Sequence, residues 1–388
     1  VEGHTAITRV TGGHFVNKLS RENIFRGIGK GTSDNFEVSG GTFNKSISEG
    51  FCADGFIPTK NADGTYGVKE GHYVAQIGSK KYETLADAIH WATKGKTITL
   101  LTDVEQNSQL TINKNITLDL NGKTIKNTKD IWGDNANAIL SITNDAKVTI
   151  TGNGTIDAKE NDCYTINVVK GDLTIENGTF YGNVSVVQVQ EGALSVKGGT
   201  FDLHQKWEGS SKYLFNCIDD AYANGSANVA ISGGTFVGFD PSASPEGEGT
   251  SYLAPGYAPT DNGGGTYGVK LAEGAYLLQD YRSGDQASWT YPTQEGMAFA
   301  GWYKDASFTT PCAASDVEGA AYAKFVPITD LLQFKGGSLR MDVTDPSTST
   351  YLRFGYTMAI PEKSAFIENG WYYKKVTVSS PDDVRFVA

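Results

Sequence analysis

Two stretches of the sequence align without gaps over 18 residues: Cys163–Phe180 (CYTINVVKGDLTIENGTF) and Val184–Phe201 (VSVVQVQEGALSVKGGTF). Each holds an apolar–polar–apolar triplet, then two or three small or polar residues, and then a Gly-Thr-Phe corner. The same order of features recurs elsewhere along the chain. Its copies begin at Thr8, Phe36, Leu118, Val148, Leu173, Leu194 and Val229.

The spacing of the copies predicts a solenoid. Successive corner threonines are 21 residues apart at the closest and up to 35 at the widest, namely Thr124, Thr155, Thr179, Thr200 and Thr235. A fixed minimum with variable additions is expected when each turn of a solenoid is constant and one connection accepts loops. Alternate residues such as Leu173 and Ile175 then face inward, and the glycine corner supplies the positive φ that turns the chain. We expect an all-β fold, a right-handed parallel β-helix.

An antiparallel β-sandwich is the main alternative, because it also gives short strands and glycine turns at regular spacing. A sandwich does not explain why near-identical corners recur in register. The sequence therefore favours the solenoid.

One amphipathic helix is predicted over Tyr82–Ala92, with Leu85, Ala88 and Ile89 on one face. Thr84 is the expected N-cap, Asp87 stands at the capping-box spacing, and Gly95 is the expected stop. The helix precedes the unbroken run of repeats. We expect it to cover the open first turn of the solenoid, whose strand edges and core would otherwise be exposed.

Composition bounds the function. The net charge of −11 argues against a nucleic-acid partner, since Lys and Arg drive that binding. No apolar run approaches the ~20 residues of a membrane span, so no membrane insertion is expected. The sequence shows no cofactor motif, and its five histidines have no metal-binding spacing. The four cysteines lie far apart, without the spacing of a disulfide framework or a zinc site.

Two segments resemble known families. Residues 74–270, with AQIGSKKYETLADAIHWATKGKTITLLTDV followed by QLTINKNITLDLNGKTI, resemble the pectate-lyase-like β-helix domains of surface proteins from gut Firmicutes and Actinobacteria. The pieces Gly301-Trp302-Tyr303 and Tyr322-Ala323-Lys324-Phe325 resemble the Listeria–Bacteroides repeat, a β-grasp-like module of cell-wall proteins. The stretches GSLR (337–340) and LRFGY (352–356) are similar to an uncharacterised β-rich domain of clostridial surface proteins.

The sequence indicates four segments in a piece of a longer multidomain chain. The pattern Ser-Gly-Gly-Thr-Phe followed by Thr-Tyr-Gly-Val-Lys occurs twice, at 39–69 and at 232–270, and we interpret it as the closing flap of a β-helix. Residues 1–73 are then the last turns and flap of a preceding β-helix, and 74–270 a β-helix with its capping helix. Residues 271–326 form the Listeria–Bacteroides-like module, with Trp302 in its core, and 327–388 a partial β-rich domain.

Catalytic candidates are few. Asp219 and Asp220 are adjacent acids that resemble the paired carboxylates of inverting polygalacturonases. The Gly-His-Gly loop and the Arg-x-Lys pair of that family are absent, and no lyase-type set is found. The alternative is that both acids bond turn amides.

The loops are more informative. Additions follow the corner step in three repeats, at 129–135, 157–162 and 204–208, which predicts a groove along one side of the solenoid. Tryptophan planes with nearby acids, amides and a histidine are typical of a sugar-binding face. The ligand-binding candidates are Trp132, Asp134, Asp157, Asp162, His204 and Trp207. The alternative is that the tryptophans only cover the side of the solenoid while the acids solvate the loops.

Three functions are compatible with these observations. The first is an extracellular adhesin or display module at the cell surface or cell wall, which contacts glycan or host surface protein. The second is a polysaccharide lyase or glycoside hydrolase that uses the same face. The third is a structural spacer. The missing catalytic set and the resemblance of the neighbouring segments to cell-wall modules favour binding or spacing over catalysis.

Overall fold

The computed structural model describes residues 7–18, 36–205, 213–327, 333–345 and 349–359. The chain divides into two compact units, Val1–Glu273 and Gly274–Ala388. Both consist mainly of β-strands.

The first part of the larger unit is a four-stranded sheet, called here the N-terminal sheet, with strand order β1-β2-β4-β3. Its strands are β1 (Thr8–Phe15), β2 (Phe36–Phe43), β3 (Phe56–Lys60) and β4 (Tyr66–Glu70), with a 3₁₀ turn at Glu49–Phe51. Strands β1 and β2 pair in parallel, with Val10 opposite Val38 and Phe15 opposite Phe43. The weak copy of the repeat at the start of the chain therefore pairs in register with the next copy.

The chain then passes through many short strands and two short helices. In chain order these are β5 (Ala75–Ile77), β6 (Lys80–Tyr82), α1 (Leu85–Trp91), β7 (Lys96–Leu100), β8 (Val104–Glu105), β9 (Leu110–Ile112), β10 (Ile116–Asp119), β11 (Thr124–Lys126), β12 (Ala138–Ile142), β13 (Ala146–Thr151), β14 (Thr155–Asp157), β15 (Tyr164–Val168), β16 (Gly171–Ile175), β17 (Thr179–Gly182), β18 (Val187–Val189), β19 (Gly192–Val196), β20 (Thr200–Leu203), β21 (Phe215–Cys217), α2 (Asp219–Ala223), β22 (Ala227–Ile231), β23 (Thr235–Val237), β24 (Tyr257–Gly263) and β25 (Thr266–Leu271).

From β7 to β23 the chain visits three sheets in turn. Sheet 1 has the order β22-β19-β16-β13-β10-β7-β5-β6, sheet 2 the order β24-β25-β23-β20-β17-β14-β11-β8, and sheet 3 the order β21-β18-β15-β12-β9. The repeated strands pair in parallel in all three sheets, and only the hairpins at the ends of sheets 1 and 2 are antiparallel. The antiparallel sandwich is therefore wrong for this segment.

The strand register reproduces the gapless sequence alignment. Ile166 lies opposite Val187, Leu173 opposite Leu194, and Phe180 opposite Phe201. The residues predicted to face inward, Leu173, Ile175, Leu194 and Val196, are all buried. Equivalent phenylalanines form a stack in which the ring of Phe201 lies 5.1 Å from that of Phe180 and 5.4 Å from that of Phe236.

The predicted helix is present as α1, and it is shorter than expected at its start because Tyr82 belongs to β6. The Thr84 hydroxyl accepts a hydrogen bond from the Asp87 backbone N–H at 3.0 Å, as the capping-box spacing predicts. Leu85, Ala88 and Ile89 are buried in the same core as the strands of the three sheets. At the other end, the Lys114 ammonium donates to the carbonyl oxygens of Ile89, His90 and Ala92, which complements the negative end of the helix dipole.

The duplicated flap has the same pairing in both places. Phe43 lies opposite Tyr66 in the N-terminal sheet, and the equivalent Phe236 lies opposite Tyr267 in sheet 2. The following hairpins share their register too, since Pro58 pairs with Val68 as Pro259 pairs with Val269. In both copies, an antiparallel hairpin covers the last parallel strand.

The smaller unit contains a three-stranded antiparallel sheet and a separate hairpin. The sheet consists of β26 (Ala275–Leu277), β27 (Met297–Tyr303) and β28 (Ala320–Pro327), in the order β26-β28-β27. Its core includes Leu278 and Trp302, so the prediction for Trp302 is confirmed. The sequence likewise predicts Trp371 as a core residue of segment 327–388, and that residue lies outside the described residues. The remaining elements are 3₁₀ turns at Leu278–Asp280 and Gln286–Ser288 and the strands β29 (Gln333–Asp345) and β30 (Ser349–Ala359).

The close stacking of corners leads to a first prediction. A Cβ at Gly192 of β19, where φ is 112°, would lie 1.8 Å from the carbonyl oxygen of Gly171 in the neighbouring strand β16. Gly225 also has a positive φ, of 78°, but a Cβ there meets no atom within 4 Å. We expect Gly192→Ala to lower the free energy of unfolding by about 1–3 kcal/mol more than Gly225→Ala, because only the first adds a clash to the backbone strain. Urea unfolding followed by far-UV circular dichroism measures both, and equal losses would contradict the stacking.

Candidate functional site

The three predicted loops all lie in the connection from sheet 2 to sheet 3. Residues 127–137 link β11 to β12, residues 158–163 link β14 to β15, and residues 204–214 link β20 to β21. Because the strands of each sheet stack in chain order, these connections stack along one side of the unit. We call residues 127–137, 157–163, 183–186 and 204–205, which include Asp157 at the end of β14, the long-turn face. The candidate Trp207 belongs to the same connection but lies outside the described residues.

The carboxylate of Asp162 holds the first loop in place. Its side chain is only 8% exposed, and it accepts hydrogen bonds from Asn127 Nδ2 at 2.7 Å and from the backbone N–H groups of Ile131 and Trp132 at 2.9 Å each. A carboxylate that accepts several N–H donors fixes their positions strongly. These bonds give Asp162 a positioning function, while direct contact between Asp162 and a ligand stays a prediction.

The side chain of Trp132 is exposed on the loop that the Asp162 carboxylate holds in place. Its side chain is 52% exposed, and its ring makes an edge contact with the ring of Tyr164, with centroids 5.3 Å apart. The next residues form a tight loop in which the Gly133 N–H donates to the Ala136 carbonyl at 2.8 Å, and Asp134 is exposed in that loop. The result is a large aromatic plane on a loop whose backbone is fixed on both sides.

Asp157 and His204 are brought together from different turns of the chain. His204 Nε2 lies 2.7 Å from Asp157 Oδ1, and the imidazole stacks on the ring of Tyr181 with centroids 5.3 Å apart. The His204 backbone N–H donates to the Gly182 carbonyl at 3.0 Å, which fixes the start of this loop. A carboxylate beside an imidazole sets the ring orientation and its tautomer. The cluster is therefore an oriented polar group on the long-turn face, and contact of Asp157 or His204 with a ligand stays a prediction.

Asp219 and Asp220 occupy a different connection. They form the first turn of α2, which leads from sheet 3 back to sheet 1, and both side chains are exposed. Adjacent residues of a helix do not face each other. The two carboxylates thus lack the facing arrangement of a glycosidase pair, which weakens the catalytic interpretation.

The sequence reading missed a row of polar residues on sheet 3. Ser141, Asn167, Gln188 and Asn216 occupy one register position on β12, β15, β18 and β21. They alternate with buried apolar residues such as Ile166 and Val168, yet Ser141, Asn167 and Gln188 are themselves at most 5% exposed. The alignment of Asn167 with Gln188 was visible in the repeat. A polar residue between two apolar ones ordinarily indicates a solvated position on a strand, so the sequence pattern alone does not predict that Asn167 and Gln188 are buried.

The cysteines and the side chains that could bind a metal ion were compared with the arrangements that thiol and metal sites require. All four cysteines are free. No group of three or more His, Cys, Asp or Glu side chains in the described part of the chain is arranged to hold a metal ion. Burial, and secondarily the charge of Glu246, raises the pKa of the Cys217 thiol to about 12. Burial, and secondarily the charge of Glu49, raises that of Cys52 to about 11.

Comparison with protein-family models, with curated proteins and with solved structures finds no match. The resemblances to pectate-lyase-like domains and to the Listeria–Bacteroides repeat therefore stay predictions. Among the described residues, none of the helices has the length and apolar character required to cross a lipid bilayer.

The clamp by Asp162 gives a second prediction. Asp162→Ala should lower the free energy of unfolding by about 1–3 kcal/mol, because the buried donors of Asn127, Ile131 and Trp132 lose their acceptor. Asp130→Ala, which breaks only an exposed ion pair with Lys159, should cost less than about 1 kcal/mol. Guanidinium unfolding followed by tryptophan fluorescence compares the two. Equal costs would remove the argument that Asp162 holds the loop.

The raised thiol pKa values give a third prediction. The thiolate is the reactive form, and a thiol with a pKa of about 11 or 12 is almost fully protonated near neutral pH. We expect iodoacetamide to label Cys52 and Cys217 slowly in the folded protein, with labelling rising steeply only as the pH approaches those values. The same reagent should label both quickly once urea unfolds the chain. Rapid labelling of the folded protein near neutral pH, read by mass spectrometry, would show that the thiols are not shielded.

Proposed function

We propose that this chain is part of a secreted or cell-wall-attached bacterial surface protein that binds glycan through its long-turn face. The observation that carries the proposal is Trp132, an exposed aromatic plane whose loop is fixed by the buried carboxylate of Asp162. Tryptophan combines a large apolar ring with a polar N–H group and is enriched at interaction surfaces for that reason. The Asp157–His204 pair and the exposed Asp134 supply polar groups for hydroxyls on the same face.

The scaffold we propose for this face is a right-handed parallel β-helix. The cyclic visit to sheets 1, 2 and 3, and the parallel pairing of each strand with its counterpart one turn later, support this winding. Connections between parallel strands of one sheet are right-handed in about 98% of cases, which supports the hand. Such a scaffold is stiff and presents successive connections in a row, which suits recognition of an extended chain.

Binding is favoured over catalysis by the arrangement of the acids. Asp157 and Asp162 belong to one loop, but Asp162 is committed to three backbone and side-chain donors. Asp219 and Asp220 lie in a different connection. The location at the cell surface rests on the resemblance of residues 74–270 and 271–326 to modules of surface proteins.

The fourth prediction tests this proposal on the whole chain. In a glycan-array screen, we expect saturable binding that Trp132→Ala reduces at least about tenfold, because removal of the ring eliminates the stacking plane. Trp91→Ala is the matched control, since Trp91 is also exposed, at 60%, but lies on α1 away from the long-turn connections.

A parallel assay for reducing ends and unsaturated products separates the alternatives. Release of product that disappears in Asp219→Ala would replace the binding module by an enzyme. Absence of both binding and product would leave a structural spacer, and equal loss in the two tryptophan variants would remove the long-turn face as the site.

A further inference from the structure

The turn of the second flap contains an Asn-Gly pair that the first flap lacks. Residues 262–266 between β24 and β25 read NGGGT, whereas residues 61–65 between β3 and β4 read NADGT. The two hairpins share their register, so Asn262 occupies the position that Asn61 occupies in the first flap. The two asparagines can therefore be compared in the same hairpin with different neighbours.

An asparagine that is followed by glycine can modify itself. The backbone nitrogen of the glycine attacks the side-chain carbonyl carbon of the asparagine, a five-membered succinimide ring closes, and the side-chain nitrogen leaves as ammonia. Water then opens the ring and leaves either aspartate or isoaspartate. Glycine favours the attack because it has no Cβ and its backbone rotates easily. Since the reacting atoms belong to neighbouring residues, the reaction depends on whether the asparagine side chain is free to rotate.

The described part of the chain has four other Asn-Gly pairs, and hydrogen bonds hold the side-chain amide of each. Asn121 Nδ2 donates to a backbone carbonyl oxygen of a neighbouring strand at 2.8 Å. Asn177 Nδ2 donates to Asn153 Oδ1 at 2.6 Å, so these two side chains fix each other. Asn224 Oδ1 accepts a hydrogen bond at 2.9 Å from the backbone N–H two residues further along the chain. Each of these bonds has to break before the side chain can rotate to the neighbouring nitrogen.

The side chain of Asn262 has no such restraint. It makes no hydrogen bond among the described residues, whereas Asn61 Nδ2 donates to Thr65 Oγ1 at 2.9 Å. The amide of Asn262 lies beside Gly268 of β25, which has no side chain to limit its rotation. The three glycines that follow Asn262 have positive φ angles between 63° and 82°, and residues 261–265 are all exposed. Both the rotation of the side chain and the access of water are therefore open at this turn.

A carboxylate lies at the nitrogen that attacks. The Gly263 N–H donates to Asp261 Oδ1 at 2.8 Å, and the first flap has Lys60 in the place of Asp261. The nitrogen has to lose this proton when it bonds to carbon, and a carboxylate at hydrogen-bonding distance can accept it as a general base. The proton then passes to the departing nitrogen, so ammonia leaves as a neutral molecule and the carboxylate is restored.

We propose that Asn262 is a self-modification site that converts to aspartate and isoaspartate, with the Gly263 nitrogen as nucleophile and Asp261 as base. Either product adds a negative charge at the turn. Isoaspartate also lengthens the main chain by one methylene group at the point where Gly263 pairs with Thr266. The modification thus alters the hairpin that covers the last parallel strand. The inference is independent of the proposed glycan-binding function.

Mass spectrometry of the full chain tests the site. The protein is kept at neutral and at mildly alkaline pH, and its peptides are analysed over time for conversion of amide to carboxyl and for isoaspartate. We expect Asn262 to react at least about tenfold faster than Asn61, Asn121 or Asn224, because misplacement of the reacting groups costs that much or more. The rate should rise with pH, since the attacking nitrogen has to lose a proton. In urea, the Asn-Gly pairs should react at similar rates, because the folded restraints are gone.

Two variants separate the contributions of the turn and the base. Gly263→Ala combined with Gly264→Asp gives the second turn the sequence of the first, which already folds in this hairpin, and should lower the rate at Asn262 to that of Asn61. Asp261→Asn keeps the shape of the side chain but removes the base, and should slow the reaction at Asn262 at least about tenfold. Circular dichroism and thermal unfolding check that both variants fold.

The outcomes decide the proposal. Equal rates at Asn262 and at the hydrogen-bonded asparagines of the folded protein would overturn the site, and so would an unchanged rate after the exchange of the turn. An unchanged rate in folded Asp261→Asn would overturn the assignment of Asp261 as the base. The comparison among asparagines uses the unaltered protein, so it decides the site even where a variant does not fold.

Discussion

The rest of this structure depends on the in-register stacking of equivalent residues on neighbouring parallel strands. Leu173 lies on Leu194, Phe180 on Phe201, and Gly171 on Gly192, so every turn of the chain must match the turn before it. The backbone groups of each strand pair with those of the equivalent strands in neighbouring copies of the repeat, and the apolar stack of Phe180, Phe201 and Phe236 continues through the core. A single copy of the repeat has neither feature by itself, so each copy depends on its neighbours for backbone pairing and for burial of its apolar side chains.

The in-register stacking of equivalent residues also decides which connections between strands can vary in length. The corner between sheets 1 and 2 is tight, since a Cβ at Gly199 would lie 2.9 Å from the Gly178 carbonyl oxygen and one at Gly233 would lie 2.2 Å from that of Lys197. The connection between sheets 2 and 3 accepts additions of different length, from the short link 183–186 to the longer link 127–137. Loops therefore accumulate on one side of the unit. That side has the exposed Trp132 and the Asp157–His204 pair.

The sequence was sufficient for the features that depend on periodicity. The register of the two aligned stretches, the capping box at Thr84 and Asp87, the stacking of the first two copies and the buried Trp302 all follow from local patterns. The sequence was not sufficient where the burial of a residue depends on which other segment of the chain covers it. Asp162 looked like an exposed loop acid, but the main-chain N–H groups of a preceding loop surround it. Tyr82 fits a helical face but is taken by the hairpin of β5 and β6, a tertiary pairing that overrides the pattern.

The polar row on sheet 3 shows how the two kinds of information combine. Alternation along β15 and β18 fixes Asn167 and Gln188 on the side of the sheet away from Ile166 and Val187, and strand register makes them neighbours. Asn167 is nonetheless only 2% exposed, and its Oδ1 has no hydrogen-bond partner among the described residues. Elsewhere on the long-turn face the amides are satisfied, as when Asn183 bonds the carbonyls of Lys159 and Cys163. Strand alternation therefore predicts which residues of the polar row align, and only the tertiary packing decides which of their side-chain atoms find a hydrogen-bond partner.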